Sequence, residues 1–311
     1  MNRNVNKRSF TLVELSIVLL VLALLVGSLL VGRKIVDRTK VQRIMSEFEA
    51  YEKMFQIFHT TYQVVPGNIN SEVKNIFVQF ADYPIVDEFS GSNVIGSYKY
   101  TGPSRYSMLC LQRANLTKIF DETNYNTEKI DFLVDDLQEY GADDDLGKKF
   151  SADFEKMYPK TTFDEETYLT FMGFRKEQLK TLGMLNGFSI TKSELLDPEY
   201  MKILDKHNAI VMFRANNFCD SEGGQCKKAT GMISAKLANF LDVKMDDGQP
   251  GTGKILATKS GFATRPDATN HEFEQTCYQG TNLEVSSAVY KQTNNVKYGC
   301  NLIKIMSDLN A

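Results

Sequence analysis

Glu14 is a carboxylate at the start of a long apolar stretch, a position where a charged side chain needs a partner. From Leu15 to Val31 the chain has no charged residue, and its only polar side chains are Ser16 and Ser28. An unpaired carboxylate inside a bilayer costs about 2.5–3.5 kcal/mol or more. We therefore expect Glu14 to pair with a cation.

Five cysteines are the second set of reactive side chains. Cys219 and Cys226 flank a short loop, Cys277 and Cys300 flank a longer one, and Cys110 is left over. In an oxidising compartment we expect the disulfides Cys219–Cys226 and Cys277–Cys300, although sequence alone does not fix the connectivity. Zinc is the alternative, but no Cys-x2-Cys pair exists and the three histidines lie far apart in the sequence.

Acidic pairs offer oxygen ligands of the kind that calcium prefers. The candidates are Asp143 and Asp145 in one loop and Asp246 and Asp247 in another. Asp143 and Asp145 fit only the first two ligand positions of an EF-hand loop. Because adjacent carboxylates are common on protein surfaces, we favour solvated acidic loops and expect no cofactor, with calcium as the alternative.

The glycine-rich segment 248–255 nearly matches a phosphate-binding loop. That motif needs Ser or Thr after its lysine to bind magnesium, whereas Ile255 follows Lys254 here. No apolar strand precedes the segment, and Gly261 comes too soon for a long helix to follow it. We expect a turn without a nucleotide. No Ser/His/Asp or Cys/His arrangement stands out either, so the sequence predicts no enzyme.

A single long helix is expected to carry Glu14. An apolar run of 17–20 residues rises roughly 25–30 Å in a helix, enough to cross a bilayer core. Beyond it, apolar residues recur at helical spacing at Ile35, Val36, Ile44, Phe48, Tyr51, Phe55 and Phe58. Neither Pro nor Gly interrupts Arg33 to Val65, and Pro66-Gly67 then ends the pattern. The helix would be roughly 80 Å long.

The segment Lys7-Arg8-Ser9-Phe10-Thr11-Leu12-Val13-Glu14-Leu15 resembles the N-terminus of type IV prepilins and type II secretion pseudopilins. It combines a basic leader, a Phe after the cut site, an acid at the fifth position after the cut and an apolar helix that starts at once. The resemblance implies that prepilin peptidase cleaves between Ser9 and Phe10 and methylates the new amine of Phe10. That family usually has Gly before the cut, so Ser9 departs from its pattern.

The resemblance also implies partners and a location. Arg3, Lys7 and Arg8 keep the leader in the cytoplasm by the positive-inside rule, which makes the chain a single-pass inner-membrane protein with a periplasmic head. In an extracellular or periplasmic filament, Glu14 would pair with the Phe10 amine of a neighbouring subunit. The implied partners are the membrane, other pilin or pseudopilin subunits, prepilin peptidase and the inner-membrane assembly platform.

The charge balance argues against nucleic acid as the main partner. The formal net charge is −3, and it becomes −6 once the three basic leader residues are removed. A nucleic-acid-binding surface would require the opposite sign over a broad area.

We expect an α+β fold in three parts: a cleaved basic leader at 1–9, a long N-terminal helix at 10–65 and a head domain at 66–311. Within the helix, 10–31 spans the membrane and 32–65 is amphipathic. The head combines a small antiparallel sheet with a large helical insertion at about 104–206; an independent small domain is the alternative for that segment. Helices are predicted at Tyr106–Phe120, Glu128–Tyr140, Ala152–Tyr158, Glu165–Leu185, Ser193–Lys206 and Ile233–Phe240. Strands are predicted at Val94–Tyr100, Ala209–Arg214, Ile255–Ala257, Ser286–Tyr290 and Leu302–Ile305.

These observations predict a filament subunit. A mature chain of 302 residues, 311 less the nine-residue leader, is large for a bulk subunit and favours a minor or tip subunit. The alternative is a signal-anchored extracytoplasmic binding or enzymatic domain that does not polymerise. A secretory signal peptide would have a shorter apolar core. A plain signal anchor would have no use for Glu14.

Overall fold

The computed structural model of this chain describes residues 12–81, 93–95, 102–117, 159–164, 167–173, 202–214, 232–259, 277–279, 287–291 and 299–307. The chain divides into two compact units, Met1–Arg43 and Ile44–Ala311. Helices and antiparallel strands occur together, so the predicted α+β class is confirmed.

The first helix, α1, covers Leu12–Tyr62 in 51 residues and confirms the prediction of one long helix. Its end is set by Gln63, whose φ of 59° is left-handed and whose N–H donates to the His59 carbonyl at 2.8 Å. Gly67 follows with a φ of 100°, a conformation that glycine adopts without steric cost. The chain therefore turns sharply where the sequence predicts it.

Short helices follow α1. Helix α2 covers Ser71–Ile76, with the Asn70 side chain accepting the Val73 N–H at 2.8 Å, and a 3-10 turn covers Val78–Phe80. Helix α3 covers Gly102–Arg113, and Asn115, two residues after its end, has a left-handed φ of 55°. The predicted helix Tyr106–Phe120 is thus shifted toward the N-terminus by several residues.

The sheet of the second unit has four antiparallel strands in the order β1-β2-β6-β3. Strand β1 is Thr167–Gly173, β2 is Asn208–Arg214, β3 is Ile255–Lys259 and β6 is Cys300–Ile305. The predicted strands at 209–214, 255–257 and 302–305 lie within β2, β3 and β6. Helix α4, Ala235–Met245, precedes β3 and is capped by the Ser234 hydroxyl, which accepts the Leu237 N–H.

A separate two-stranded ladder joins β4, Tyr278–Gln279, to β5, Val289–Tyr290. The prediction of a strand over Ser286–Tyr290 is therefore confirmed only for its last two residues. Asn93, Val94 and Ile95 are not in a strand, and the rest of the predicted strand Val94–Tyr100 lies outside the described residues.

The helix prediction for Glu165–Leu185 is wrong at residues 167–173, which form β1. The segment Thr-Tyr-Leu-Thr-Phe-Met-Gly is rich in β-branched and aromatic residues, and all seven positions are buried. β1 pairs with β2 along its whole length, from Thr167 opposite Arg214 to Gly173 opposite Asn208. Pairing with β2 decides the conformation of these residues. The spacing of apolar residues within the segment carries no information about that pairing.

Three other helix predictions concern residues that are mostly outside the described part of the chain. Glu128–Tyr140 and Ala152–Tyr158 lie outside it entirely. Of Ser193–Lys206, residues 202–204 are helical, and Lys206 follows with a φ of 66°.

The aromatic side chains of α1 beyond Arg43 form the core under the sheet. Ile44, Phe48, Phe55 and Phe58 are buried, and the rings of Phe55 and Tyr51 lie 5.2 and 6.2 Å from the ring of Phe171 on β1. The predicted amphipathic face is therefore correct from Ile44 onward. Ile35 and Val36 stay exposed. At about 100° per residue, Ile35 lies about 180° around the helix from Ile44 and cannot share its face.

Candidate functional site

The apolar segment of α1 is the most unusual surface of the described chain. Its large apolar side chains from Leu12 to Leu29 are 47–82% exposed. A window of this helix is long and apolar enough to cross a membrane, and no part of that window is buried. Exposed apolar surface on this scale marks a site that binds lipid or another protein.

The two hydroxyl groups in this segment are satisfied within the helix itself. The Ser16 hydroxyl donates to the Leu12 carbonyl at 2.8 Å, and the Ser28 hydroxyl donates to the Leu25 carbonyl at 2.9 Å. Since hydrocarbon offers no hydrogen-bond partners, internal bonding of this kind is what a bilayer requires.

Glu14 lies in the first turn of α1. A negative charge there interacts favourably with the positive end of the helix dipole, an effect worth about 0.3–1 kcal/mol. The predicted processing residues Ser9 and Phe10, and the leader residues Arg3, Lys7 and Arg8, lie outside the described residues. The pairing of Glu14 with a Phe10 amine therefore stays a prediction.

Glu52 and Lys304 form an ion pair that the sequence analysis missed. Lys304 Nζ lies 2.5 Å from Glu52 Oε2, and the two side chains are only 16% and 9% exposed, Glu52 being the more exposed. Ser307 donates its N–H to Glu52 Oε1 at 3.1 Å and its hydroxyl to the same atom at 3.3 Å. The pair fixes the last strand, β6, to α1.

The environment of Glu52 favours its charged form. Burial alone would raise the pKa of the Glu52 carboxyl, but the hydrogen bond and charge of Lys304 and the bonds from Ser307 outweigh it and lower the pKa. One sequence signal could have pointed to this pair: Lys304 is the only charged residue in the run Leu302-Ile303-Lys304-Ile305-Met306.

Three carboxylates meet where α4 passes into the next loop. Atoms of Asp242, Asp246 and Asp247 lie within 4.8 Å of one another. Asp246 accepts the N–H groups of Lys254 and Ile255, the latter at 2.9 Å. Asp247 accepts the Gln249 N–H at 2.8 Å and the Thr252 hydroxyl at 2.5 Å.

These contacts give the acidic loop a structural explanation. Asp246 and Asp247, two of the predicted calcium candidates, accept hydrogen bonds from the loop that they shape. Gly253, with a φ of 72°, approaches the Asp246 carboxylate so closely that a Cβ would overlap it. Asp143 and Asp145 lie outside the described residues.

Asp242 is the member of this cluster that the sequence analysis missed. Its side chain is fully buried, with Oδ2 accepting the Tyr290 hydroxyl at 2.8 Å and Oδ1 accepting the Gly248 N–H at 3.2 Å. Burial, helped by the charges of Asp247 and Asp246, raises the pKa of Asp242 to about 7 against the lowering effect of the two hydrogen bonds. One sequence signal could have indicated that Asp242 is buried: it lies four residues after Ala238, on the same face of the helix.

The same loop explains why segment 248–255 does not form a phosphate site. In a phosphate-binding loop the backbone N–H groups cradle the anion, and a helix follows. Here the N–H groups of Lys254 and Ile255 donate to Asp246, and the strand β3 follows. The predicted turn is confirmed.

The cysteine predictions have mixed outcomes. The Cys277–Cys300 disulfide is present and joins the residue before β4 to the first residue of β6, with Cα atoms 4.8 Å apart. Cys110, the cysteine left over from the predicted pairs, is buried, and its sulfur accepts the Gly67 N–H at 3.3 Å. Cys219 and Cys226 lie outside the described residues.

Comparison with known proteins yields no relatives: no family model, no curated protein and no solved structure matches this chain.

Proposed function

We propose that this chain is a type IV pilin-like or pseudopilin subunit that is inserted in the inner membrane, processed by prepilin peptidase and assembled into a filament. The observation that carries the proposal is the sequence around Glu14. A single acid follows a basic leader by a few residues and opens a helix whose apolar side chains are all exposed up to Leu29. A helix that only anchors a domain would gain about 0.3–1 kcal/mol from this acid through the helix dipole, which is less than the cost of about 2.5–3.5 kcal/mol for an unpaired carboxylate in a bilayer.

Two structural features support this proposal. Helix α1 continues from the apolar segment to Tyr62 without a break, so one element serves both as anchor and as the core helix of the head. The Cys277–Cys300 disulfide suits a head on the oxidising side of the membrane. The proposed topology is a cytoplasmic N-terminus and a periplasmic head. It rests on the resemblance and on this disulfide, because the five basic residues from Arg33 to Arg43 outnumber the three of the leader in the positive-inside count.

In the proposed assembly, cleavage between Ser9 and Phe10 exposes an amine that becomes methylated and stays positive. Glu14 of one subunit pairs with this amine of a neighbour in the apolar filament centre. Two charges in a low-dielectric surrounding favour pairing strongly over separate burial. The partners are other pilin or pseudopilin subunits, the peptidase and the inner-membrane assembly platform. The size of the head favours a minor or tip subunit, which needs no catalytic site.

The first test is the mass and N-terminal sequence of the protein isolated from membranes of a host with its native peptidase. We expect loss of residues 1–9 and one added methyl group on Phe10. The second test compares Glu14→Gln with Glu49→Gln, which removes an exposed acid farther along the same helix. We expect Glu14→Gln to insert in the membrane but to be absent from sheared filaments, and Glu49→Gln to behave as the wild type.

The opposite results favour the alternative of a signal-anchored extracytoplasmic binding or enzymatic domain. A chain that still begins at Met1 would mean that Ser9 is not accepted at the cleavage site. Normal incorporation of Glu14→Gln would refute the pairing with the Phe10 amine.

A further inference from the structure

A dense group of basic residues follows the apolar segment on α1. Between positions 33 and 43 the chain has five basic residues and one acid, namely Arg33, Lys34, Asp37, Arg38, Lys40 and Arg43. We call the five basic residues the basic collar. The proposed filament contact through Glu14 leaves this group without a role.

The basic collar surrounds the helix instead of forming a stripe. At about 100° per residue, Arg38 lies about 40° from Lys34, whereas Lys40 and Arg43 lie about 240° and 180° from it. Lys34 and Arg38 are exposed, and Lys40 is partly exposed. A stripe would suit one protein partner on one side. A ring suits surroundings that contact the helix on all sides.

The distance along the helix places part of the basic collar at the surface of a bilayer. With Val31 at the end of the apolar run, a rise of 1.5 Å per residue puts Lys34 about 5 Å and Arg38 about 10 Å beyond it. The headgroup layer on each side of a bilayer is about 5–8 Å thick. Long basic side chains bend toward that layer while their methylene groups follow apolar surface.

We propose that the basic collar binds the phosphate groups of anionic phospholipids and thereby sets the depth of α1 in the bilayer. Anionic phospholipid fits because its charge is complementary and because the collar is continuous with the apolar segment. This inference rests on the membrane-spanning part of the proposed function and not on cleavage or filament assembly. Each basic residue near such a surface contributes about fivefold in affinity.

The test uses the full chain in phosphatidylcholine vesicles that contain traces of spin-labelled phosphatidylglycerol or spin-labelled phosphatidylcholine. Electron spin resonance gives the fraction of each label that is immobilised by the protein. We expect phosphatidylglycerol to be preferred at least fivefold at an ionic strength of about 0.1 M, where the Debye length is about 10 Å. High salt should abolish the preference because it screens the charges.

The double substitution Lys34→Gln/Arg38→Gln should lower the preference severalfold, because it removes two of the five residues of the basic collar. The matched control is Lys53→Gln/Lys236→Gln, which removes the same charge at two exposed positions. Lys53 lies about 33 Å along the helix from Val31, several Debye lengths away. The control should keep the wild-type preference.

Each of the following results would overturn the proposal. An equal loss of preference in both variants would show a non-specific charge effect. A wild-type chain without lipid preference, with self-association that salt disrupts, would assign the basic collar to acidic groups of a second copy. If alkaline carbonate extracts the chain from the vesicles, both the membrane-spanning assignment and the proposed lipid binding by the basic collar are refuted. If the chain is retained but shows no lipid preference, only the lipid binding is refuted.

Discussion

At the scale of single residues, Asp242 should make the stability of the head depend on pH near neutrality. Its pKa is raised from 3.8 to about 7, mainly by burial, so the folded state holds a proton that the unfolded state has released. The free energy of unfolding should therefore fall as pH rises from about 4 to about 7 and stay level above that. The loss is on the order of a few kcal/mol.

The variant Asp242→Asn tests this prediction, because an amide can keep the bonds to Tyr290 and Gly248 without a charge. Thermal unfolding of the full chain in detergent, followed by near-UV circular dichroism, should show a smaller pH dependence between pH 4 and 7 for Asp242→Asn than for the wild type. Glu49→Gln, at an exposed site, is the control and should follow the wild type. An unchanged pH profile in Asp242→Asn would refute the assignment.

Asp242 also shows where reading the sequence reaches its limit. The pattern of α4 identifies a buried face, but an acid on that face is interpretable only when its partner is known, and Tyr290 is 48 positions away. Asp246 and Asp247 were noticed as a pair because they are adjacent. Asp246 shapes the loop by accepting the backbone N–H groups of residues 254 and 255, and the sequence does not predict where those groups lie.

At the scale of secondary-structure elements, the Glu52–Lys304 pair should stabilise the attachment of β6 to α1. Breaking a buried pair by removing one partner costs up to about 3–5 kcal/mol, and the residual exposure of Glu52 reduces this to an expected 1–3 kcal/mol for Glu52→Gln. Denaturant unfolding of the full chain in detergent measures the change. Glu49→Gln, one turn away and exposed, should change stability by less than about 0.5 kcal/mol.

The pH dependence of the same pair has the opposite sign to that of Asp242. The pKa of Glu52 is lowered from 4.5, so its contribution is complete above that value and is lost as pH falls below it. Glu52→Gln should therefore differ least from the wild type in acid. A difference that does not shrink in acid would mean that packing, and not charge, explains the loss.

Secondary-structure elements were predictable where their own residues decide the conformation. Helix α1 was predicted because its apolar run is long enough to cross a bilayer, because neither Pro nor Gly interrupts Arg33 to Val65, and because Pro66-Gly67 ends the pattern. Strands β2, β3 and β6 were predicted because each is a short apolar run. Strand β1 was assigned to a helix because its partner β2 lies about forty residues later, and only the ladder to β2 reveals it.

At the scale of the whole molecule, the division into two units predicts that substitutions in the apolar segment change membrane insertion without changing the stability of the head. The apolar segment belongs to Met1–Arg43, and its side chains are exposed. Two arginines in its middle, in Leu20→Arg/Leu24→Arg, would add about 5–7 kcal/mol to the cost of insertion. We expect alkaline carbonate to release the variant from membranes while the melting temperature of the head in detergent stays unchanged.

The control places the same two charges at exposed, uncharged polar sites of the second unit, in Ser46→Arg/Gln56→Arg. This variant should stay in the membrane, because its arginines lie more than 20 Å along the helix beyond Val31. A lower melting temperature for Leu20→Arg/Leu24→Arg would mean that the apolar segment packs on the head and is core, not anchor. Retention in the membrane would mean that the segment is not what holds the chain there. Either result would remove the basis for a filament built around Glu14.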